Sequence, residues 1–369
     1  MRSSIALRSA GACLVALGLV AAACTGWGGA ADKSGSRSEP LLLHLAVADY
    51  GLGNAFAIRD FKRRVKSLSG GSIQIQVLGG WGDYAVDAEQ QVVRAVADGQ
   101  VDLGVTSTGV FDSLGVTSFE ALSAPLLIDS NELADAVLES DLPHRMLDGL
   151  SKLGVTGIGV AFQALVYPLS EDRPLVDLAD WSGVRFGTAR SEIQEAAIRA
   201  LGASPVEVFG PARDAALDAN DIQAFDFGIY GYRSEFHLGM AEQVPYVASN
   251  VVLWPRFNVL LANPELLSSL SDDQRAWLQR AMVQAMALSA RQNGKEGRAV
   301  RVACRRGARF ARATPTQLNA MRSALALVYQ WLRQDPRTSA FLHEIGHLTG
   351  TVPEQRLHVP PHCVWSPRS

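Results

Sequence analysis

The chain has 369 residues with a formal net charge of −3, 48% hydrophobic and 19% charged residues. That length allows two ordinary domains, and the composition excludes a disordered chain. With no basic excess it also excludes a broad electrostatic footprint for nucleic acid.

Residues 1–24 stand apart from the rest. Arg2 and Arg8 precede the apolar run AGACLVALGLVAAAC, the pattern of a secretory signal and too short for a membrane span. Its end, Ala21-Ala22-Ala23-Cys24, resembles a bacterial lipoprotein box, which makes Cys24 the expected lipid attachment. A plain signal cut near Ala22 or Ala31 is the alternative. Residues 25–40, rich in Gly and Ser, read as a flexible tether.

Residues 41–47 form a buried-strand pattern. From Asn54, a plausible N-cap, Ile58, Phe61, Val65 and Leu68 recur at helical spacing, and Gly70-Gly71 stops the helix. SIQIQVL alternates as a strand, a helix follows over 87–98 to Gly99, and VDLGVTS is the next strand. Strand, helix, strand, helix, strand implies right-handed crossovers and a parallel sheet. The alternation resumes with strands over 155–162 and 183–187, the helix SEIQEAAIRAL closed by Gly202, and strands SPVEVF and DIQAFDF. YRSEFHLGM reads as a helix, and NVLLANPELL as a strand entering a loop. A long helix opens on a Ser271/Gln274 capping box, and another carries Pro315 in its first turn. The body is therefore α/β, in two lobes with helices flanking mainly parallel sheets. In such sheets ligands sit at the carboxyl ends of strands. The candidate loops are Asp49–Asn54, Gly79–Tyr84, Thr106–Phe111, Phe186–Ser191 and Asp226–Tyr230.

Three stretches in order, GGSIQIQVLGG, VVRAVADGQVDLGVTSTG and DLADWSGVRFGTARSEIQEAAIRALGASPVEV, resemble the DctP-type solute receptors of TRAP transporters. The likeness runs over roughly residues 41–345. It implies a periplasmic-binding-protein-like fold with a hinge between lobes: 41–163 plus about 251–291 in lobe 1, about 164–250 plus 292–349 in lobe 2, and a tail over 350–369. It implies an extracytoplasmic receptor with no catalysis and no cofactor. Its partners would be a small organic acid, the permease subunits of a TRAP-type transporter, and the membrane through the lipid anchor. A receptor feeding a sensor instead is the alternative reading.

In that family the arginine of the GxR strand clamps the ligand carboxylate, which points to Arg185 here. A guanidinium suits the task because its rigid fork matches a carboxylate with two charge-assisted hydrogen bonds. The sequence departs from the pattern twice: Val166 stands at the second arginine, and Phe227 at the asparagine that helps hold the carboxylate. With those partners missing, an apolar or aromatic monocarboxylate fits better than a dicarboxylate. Candidate wall residues are Trp81, Tyr84, Phe111, Phe225, Phe227, Tyr230 and Trp254. Gln163, where the chain should cross between lobes, is a further ligand or hinge candidate. Asp49 and Asp83 read as solvated loop carboxylates.

One motif competes with this reading. His343-Glu344-x-x-His347 is the signature of a zinc peptidase, with two imidazoles on one helical face and a carboxylate as general base. The third ligand position of the extended motif is Pro353, and only 19 residues follow Gly350. Phe341, Ile345 and Leu348 read as the packing face of an ordinary terminal helix opened by Asp335-Pro336, with both histidines on its wet side. His358, His362 and Cys363 leave adventitious metal binding at His343 and His347 open. Cys304 and Cys363, the cysteines of the mature body, are either bridged or free.

Overall fold

The computed structural model describes residues 39–49, 56–233, 239–293, 296–352 and 357–366. The signal, Cys24, nearly all of the tether, and the Asn54 cap lie outside them.

Among the described residues ten strands make one mixed sheet: β1 Leu41–Val47, β2 Ile73–Gly79, β3 Leu103–Ser107, β4 Thr156–Ser170, β5 Arg185–Thr188, β6 Ser204–Glu207, β7 Ala224–Gly228, β8 Tyr246–Ala248, β9 Trp254–Ala262 and β10 Arg309–Ala311. The order is β2-β1-β3-β9-β4-β7-β5-β6, with β8 joining β4 to β10. Parallel pairs are β1 with β2 and β3, β5 with β6 and β7, and β8 with β10. The expected parallel runs are thus present in both halves, joined by two long antiparallel strands. β9 pairs antiparallel with β3 and β4, and β4 with β7.

Period-two alternation sorts β1 onto two faces. Leu43, Leu45 and Val47 pack with Ile58, Phe61 and Val65 of the helix Phe56–Leu68, and with Leu278, Ala281 and Met282 of the helix Asp272–Asn293. Ala46 and Ala48 face the other way, into the cluster holding Val92 and Val96 of the helix Ala88–Ala97. That helix lies so close to β3 that a Cβ at Gly104 would come within 2.7 Å of the Val96 side chain. Only glycine fits there.

Capping follows the local sequence. Ser271 and Gln274 exchange their two cap bonds at 2.9 and 3.2 Å. Thr314 and Gln317 form a second box, and Gly202 closes the helix Glu192–Leu201 at φ 105°. Several expectations change. β4 runs on to Ser170, and a helix Glu296–Arg305 follows the long one. Of the residues read as the helix YRSEFHLGM, Tyr232 and Arg233 close a 3₁₀ turn, Ile229–Arg233, and Met240 opens a helical turn, Met240–Gln243; residues 234–238 lie outside the described set. The terminal helix Pro336–Thr349, assigned to lobe 2 above, packs instead on Thr117–Ser123 and the helix Asn131–Glu139. Thr338 Oγ1 donates to the Thr117 carbonyl at 3.1 Å, a bond between segments far apart in sequence. Cys304 and Cys363 are bridged, which fastens the tail beside β10, where Phe310 pairs with Val364.

The topology places a cleft. β1–β3 run one way and β5–β7 the other, so their carboxyl ends face each other along β4. Ser107 at the end of β3 lies level, through Asn258, with Ala161; Gly228 at the end of β7 lies level with Val166. Five residues of strand separate these levels, roughly 17 Å at 3.3 Å per residue.

Candidate functional site

At that level β4 carries a register shift between Phe162 and Ala164, which leaves Gln163 as the extra residue of a bulge. A bulge re-aims a side chain and bends its strand. Gln163 accepts a hydrogen bond from Asn258 Nδ2 at 3.1 Å and lines a cavity of about 410 Å³. All five carboxyl-end loops picked from sequence contribute to its wall, through Asp49, Tyr84, Ser107 to Gly109, Gly187 to Ala189, and Asp226 with Phe227. The loop after β6 (Val208 to Pro211) and the start of β9 (Trp254 to Asn258) complete it.

Of the predicted site residues, Gln163, Tyr84, Phe227 and Trp254 line the cavity, as does Phe225 from the wider wall set. Trp81, Phe111 and Tyr230 are not in the lining. Phe111 is wholly buried and stacks on Phe119 at 4.9 Å between ring centres. Trp81 and Tyr230 pack against the main core.

Arg185 is the principal correction. It sits at the first residue of β5, while the cavity lies at that strand's last residues, roughly 10 Å further along. Its Nε donates to the Asp221 carbonyl at 2.7 Å, and its Nη2 to the Asn220 carbonyl. It lines a separate surface hollow with Gln223 and Arg173. Along β5 the cavity-lining residues are Gly187 and Thr188, so this strand brings no cation to the cleft.

Two other guanidiniums reach the cavity. Arg256 lies two residues beyond Trp254 on β9, with Asn258 two beyond that. Its Nη2 is 3.6 Å from Asp226 Oδ2, and among the described residues its N–H groups make no side-chain hydrogen bond. Arg213 comes from the first turn of the helix Pro211–Asp218. It donates to Asp214 Oδ1 through Nε at 3.0 Å and Nη2 at 2.7 Å, and lies over the rings of Phe225 and Phe227 at 4.7 and 4.9 Å. Asp226 is buried and accepts from the Trp254 indole at 3.3 Å. Burial raises its pKa, and the charges of Arg256 and Arg213 and the indole bond pull the other way. On the opposite wall Glu89 accepts from Ser107 N and Oγ, both at 2.7 Å. Thr188, Gln194 and Thr108 add polar surface, so the lining is more polar than the aromatic wall read from sequence.

Sequence reasoning missed Arg256 although its signal was present: alternation from Trp254 puts 254, 256 and 258 on one face. Arg213 was missed because the loop after β6 was left out of the carboxyl-end set.

The peptidase motif is used otherwise. Glu344 is ion-paired to Arg145, and His343 and His347 meet edge to face, with Nε2 atoms 3.2 Å apart on an exposed helix surface. Among the described residues one group of three metal-type side chains comes together, Cys304, His362 and Cys363, and its two sulfurs form the disulfide.

The family model for bacterial extracellular solute-binding proteins, family 7 (DctP), matches residues 52–335. The chain belongs to this family. A curated relative, the C4-dicarboxylate-binding periplasmic protein DctP of Rhodobacter capsulatus, is 23% identical over 171 residues, 46% of this chain. That match spans 50% of the relative's length. The sugar acid binding protein DctPAm of Advenella mimigardefordensis, solved with galactonate, superposes with a TM-score of 0.73 at 17% identity, covering 85% of this chain and 99% of that one. A TRAP periplasmic solute binding protein from Anaerococcus prevotii, solved with D-glucuronate, gives 0.75 at 15%, covering 85% and 100%. At these identities the likeness is one of fold: a two-lobed α/β receptor. DctP-family proteins act outside the cytoplasm, and among the described residues no helix is long and apolar enough to cross a membrane.

Proposed function

We propose that this DctP-family receptor binds a small organic acid in the cavity at the β4 bulge and delivers it to a TRAP-type membrane permease. The observation that carries the reading is the Arg256 guanidinium, which faces the cavity with N–H donors to spare. A carboxylate placed there accepts a charge-assisted fork, while Asn258, Gln163 and Thr188 offer polar contacts around it. Arg213, fixed by Asp214 and two rings, serves as a second, more rigid positive wall. The clamp role assigned to Arg185 from sequence passes to Arg256. The relatives solved with galactonate and D-glucuronate support an acid as ligand, though neither supports an apolar one.

Residues 41–163 with 251–291, joined by the terminal helix, make one lobe in this reading, and 164–250 with the segment after 292 the other. They close over the acid about β4 and β9. Closure is driven by contacts that only the closed state makes, here those to the ligand itself. Cys24 provides the lipid anchor that keeps the receptor beside its permease.

Native mass spectrometry of the secreted form tests the clamp. A bound small acid should leave in Arg256→Gln, a loss of about 2–5 kcal/mol typical of a truncated charged hydrogen-bond partner, and persist in Arg185→Ala. Retention in Arg256→Gln with release in Arg185→Ala would restore the original assignment and overturn this one.

A further inference from the structure

Two histidines of the terminal helix serve neither the cavity nor the core. His343 and His347 sit one turn apart on the helix Pro336–Thr349, both exposed, with Nε2 atoms 3.2 Å apart and rings edge to face. One ring donates to the other at that contact, which sets the two Nε2 atoms side by side. The face around them is open among the described residues: a Cβ at Gly346 would meet no atom within 4 Å. The helix beneath is fixed, with Phe341, Leu342 and Ile345 buried and Thr338 bonded to the Thr117 carbonyl. The backbone carrying the pair therefore needs no further ordering to hold a ligand.

An imidazole-bound divalent ion lies about 2.0–2.1 Å from its nitrogen. Two nitrogens 3.2 Å apart then subtend roughly 100–105° at the ion. That value falls between the right angle of a square-planar site and the tetrahedral angle, so the separation suits two adjacent positions of one metal. The helix adds a second term. His347 lies in its last turn, where carbonyls without intrahelical partners carry negative partial charge and favour a bound cation. We infer that His343 and His347 form a two-imidazole site for a divalent transition metal, with copper(II) bound more tightly than zinc(II). Both Nε2 atoms must be free of hydrogen to bind, so the donor ring carries its proton on Nδ1 in the metal form. Glu344 stays with Arg145, and the other positions of the ion are left to water. The site is thus a surface chelate built from part of the peptidase motif, and it does not depend on the acid-binding cavity.

Calorimetric titration of the metal-stripped secreted protein with copper(II) chloride, and separately with zinc chloride, tests it. The parent should show one copper step in the micromolar range, with zinc at least tenfold weaker at the same site. His343→Ala and His347→Ala should each weaken that step at least tenfold, while Glu344→Gln and His362→Ala keep it. Electron paramagnetic resonance of the copper form should show two imidazole nitrogens in the parent and one in either single-histidine variant. Copper should also raise the melting temperature of the parent and not that of His347→Ala, because the folded helix is what brings the two rings together. A parent titration that both histidine variants reproduce would overturn the site. A step lost in Glu344→Gln or His362→Ala would overturn the assignment to this pair of imidazoles. No copper bound at millimolar concentration would also overturn it, and none of these outcomes touches the receptor reading.

Discussion

Arg256 and Arg185 show how little residue type says about role. Both are strand arginines with N–H groups in reach of oxygen acceptors. Arg185 uses them on the backbone carbonyls of Asn220 and Asp221, in the turn after the helix Pro211–Asp218, where it ties that turn to β5. Arg185→Ala should therefore cost about 1 kcal/mol, discounted for its exposure, and leave ligand affinity unchanged. A melting curve and a titration on the same sample check this; a tenfold loss of affinity at unchanged stability would contradict it. Arg256 stands 3.6 Å from Asp226, which is itself held by the Trp254 indole, and among the described residues its guanidinium makes no hydrogen bond.

The cleft depends on two irregular elements that interrupt regular pairing. One is the bulge at Gln163, which turns a side chain of a fifteen-residue strand toward the cavity. The other is the turn between β6 and the helix Pro211–Asp218. There Gly210 adopts φ 57°, ψ −132°, and its α-carbon abuts the Tyr84 ring from the opposite side of the cleft. A Cβ at 210 would come within 2.2 Å of Tyr84 Cδ1. Gly210→Ala should cost about 1–3 kcal/mol through backbone strain and more through displacement of Tyr84, lowering both melting temperature and ligand affinity. Pairing it with Tyr84→Ala should recover the steric part alone. An unchanged melt for the single variant would mean that this turn is not held as described.

Across the whole molecule, several carboxyls are buried where charge is costly. Burial lifts Glu296 from its ordinary value near 4.5 to about 7; Glu132 adds to the shift, and a hydrogen bond from Asn131 opposes it. Glu120 moves to about 7 and Asp112 to about 6, again chiefly by burial. Asp112 also spans the halves: it accepts from Ser191 Oγ and Ile193 N at the start of the helix Glu192–Leu201. The sign follows from proton binding. Below about 4.5 the Glu296 carboxyl is protonated in both states; above that the folded state keeps a proton the unfolded chain has released. The stability it contributes at low pH is therefore lost as pH rises toward about 7. Glu296→Gln, which mimics the protonated form, should melt higher than the parent at pH 8 and match it near pH 4. The reverse ordering at pH 8 would show that the ionised carboxylate is stabilised.

The sequence alone determined most of the strands in their order, the parallel halves, the cap at Ser271, the helix start at Pro315, and the five loops that line the cleft. Each of these rests on local physics: period-two and period-3.6 alternation, side chains bonding backbone within one turn, and glycine where φ is positive. Tertiary structure decided what those loops hold. The antiparallel passage of β9 between β3 and β4 set Arg256 beside the Gln163 bulge, and the start of β5 carried Arg185 away from it. It also joined Cys304 to Cys363 across 59 residues and paired Glu344 with Arg145. Pairing partners so distant in sequence leave no periodic trace. The residue that meets a ligand is chosen by strand register and strand direction, and both are properties of the assembled sheet.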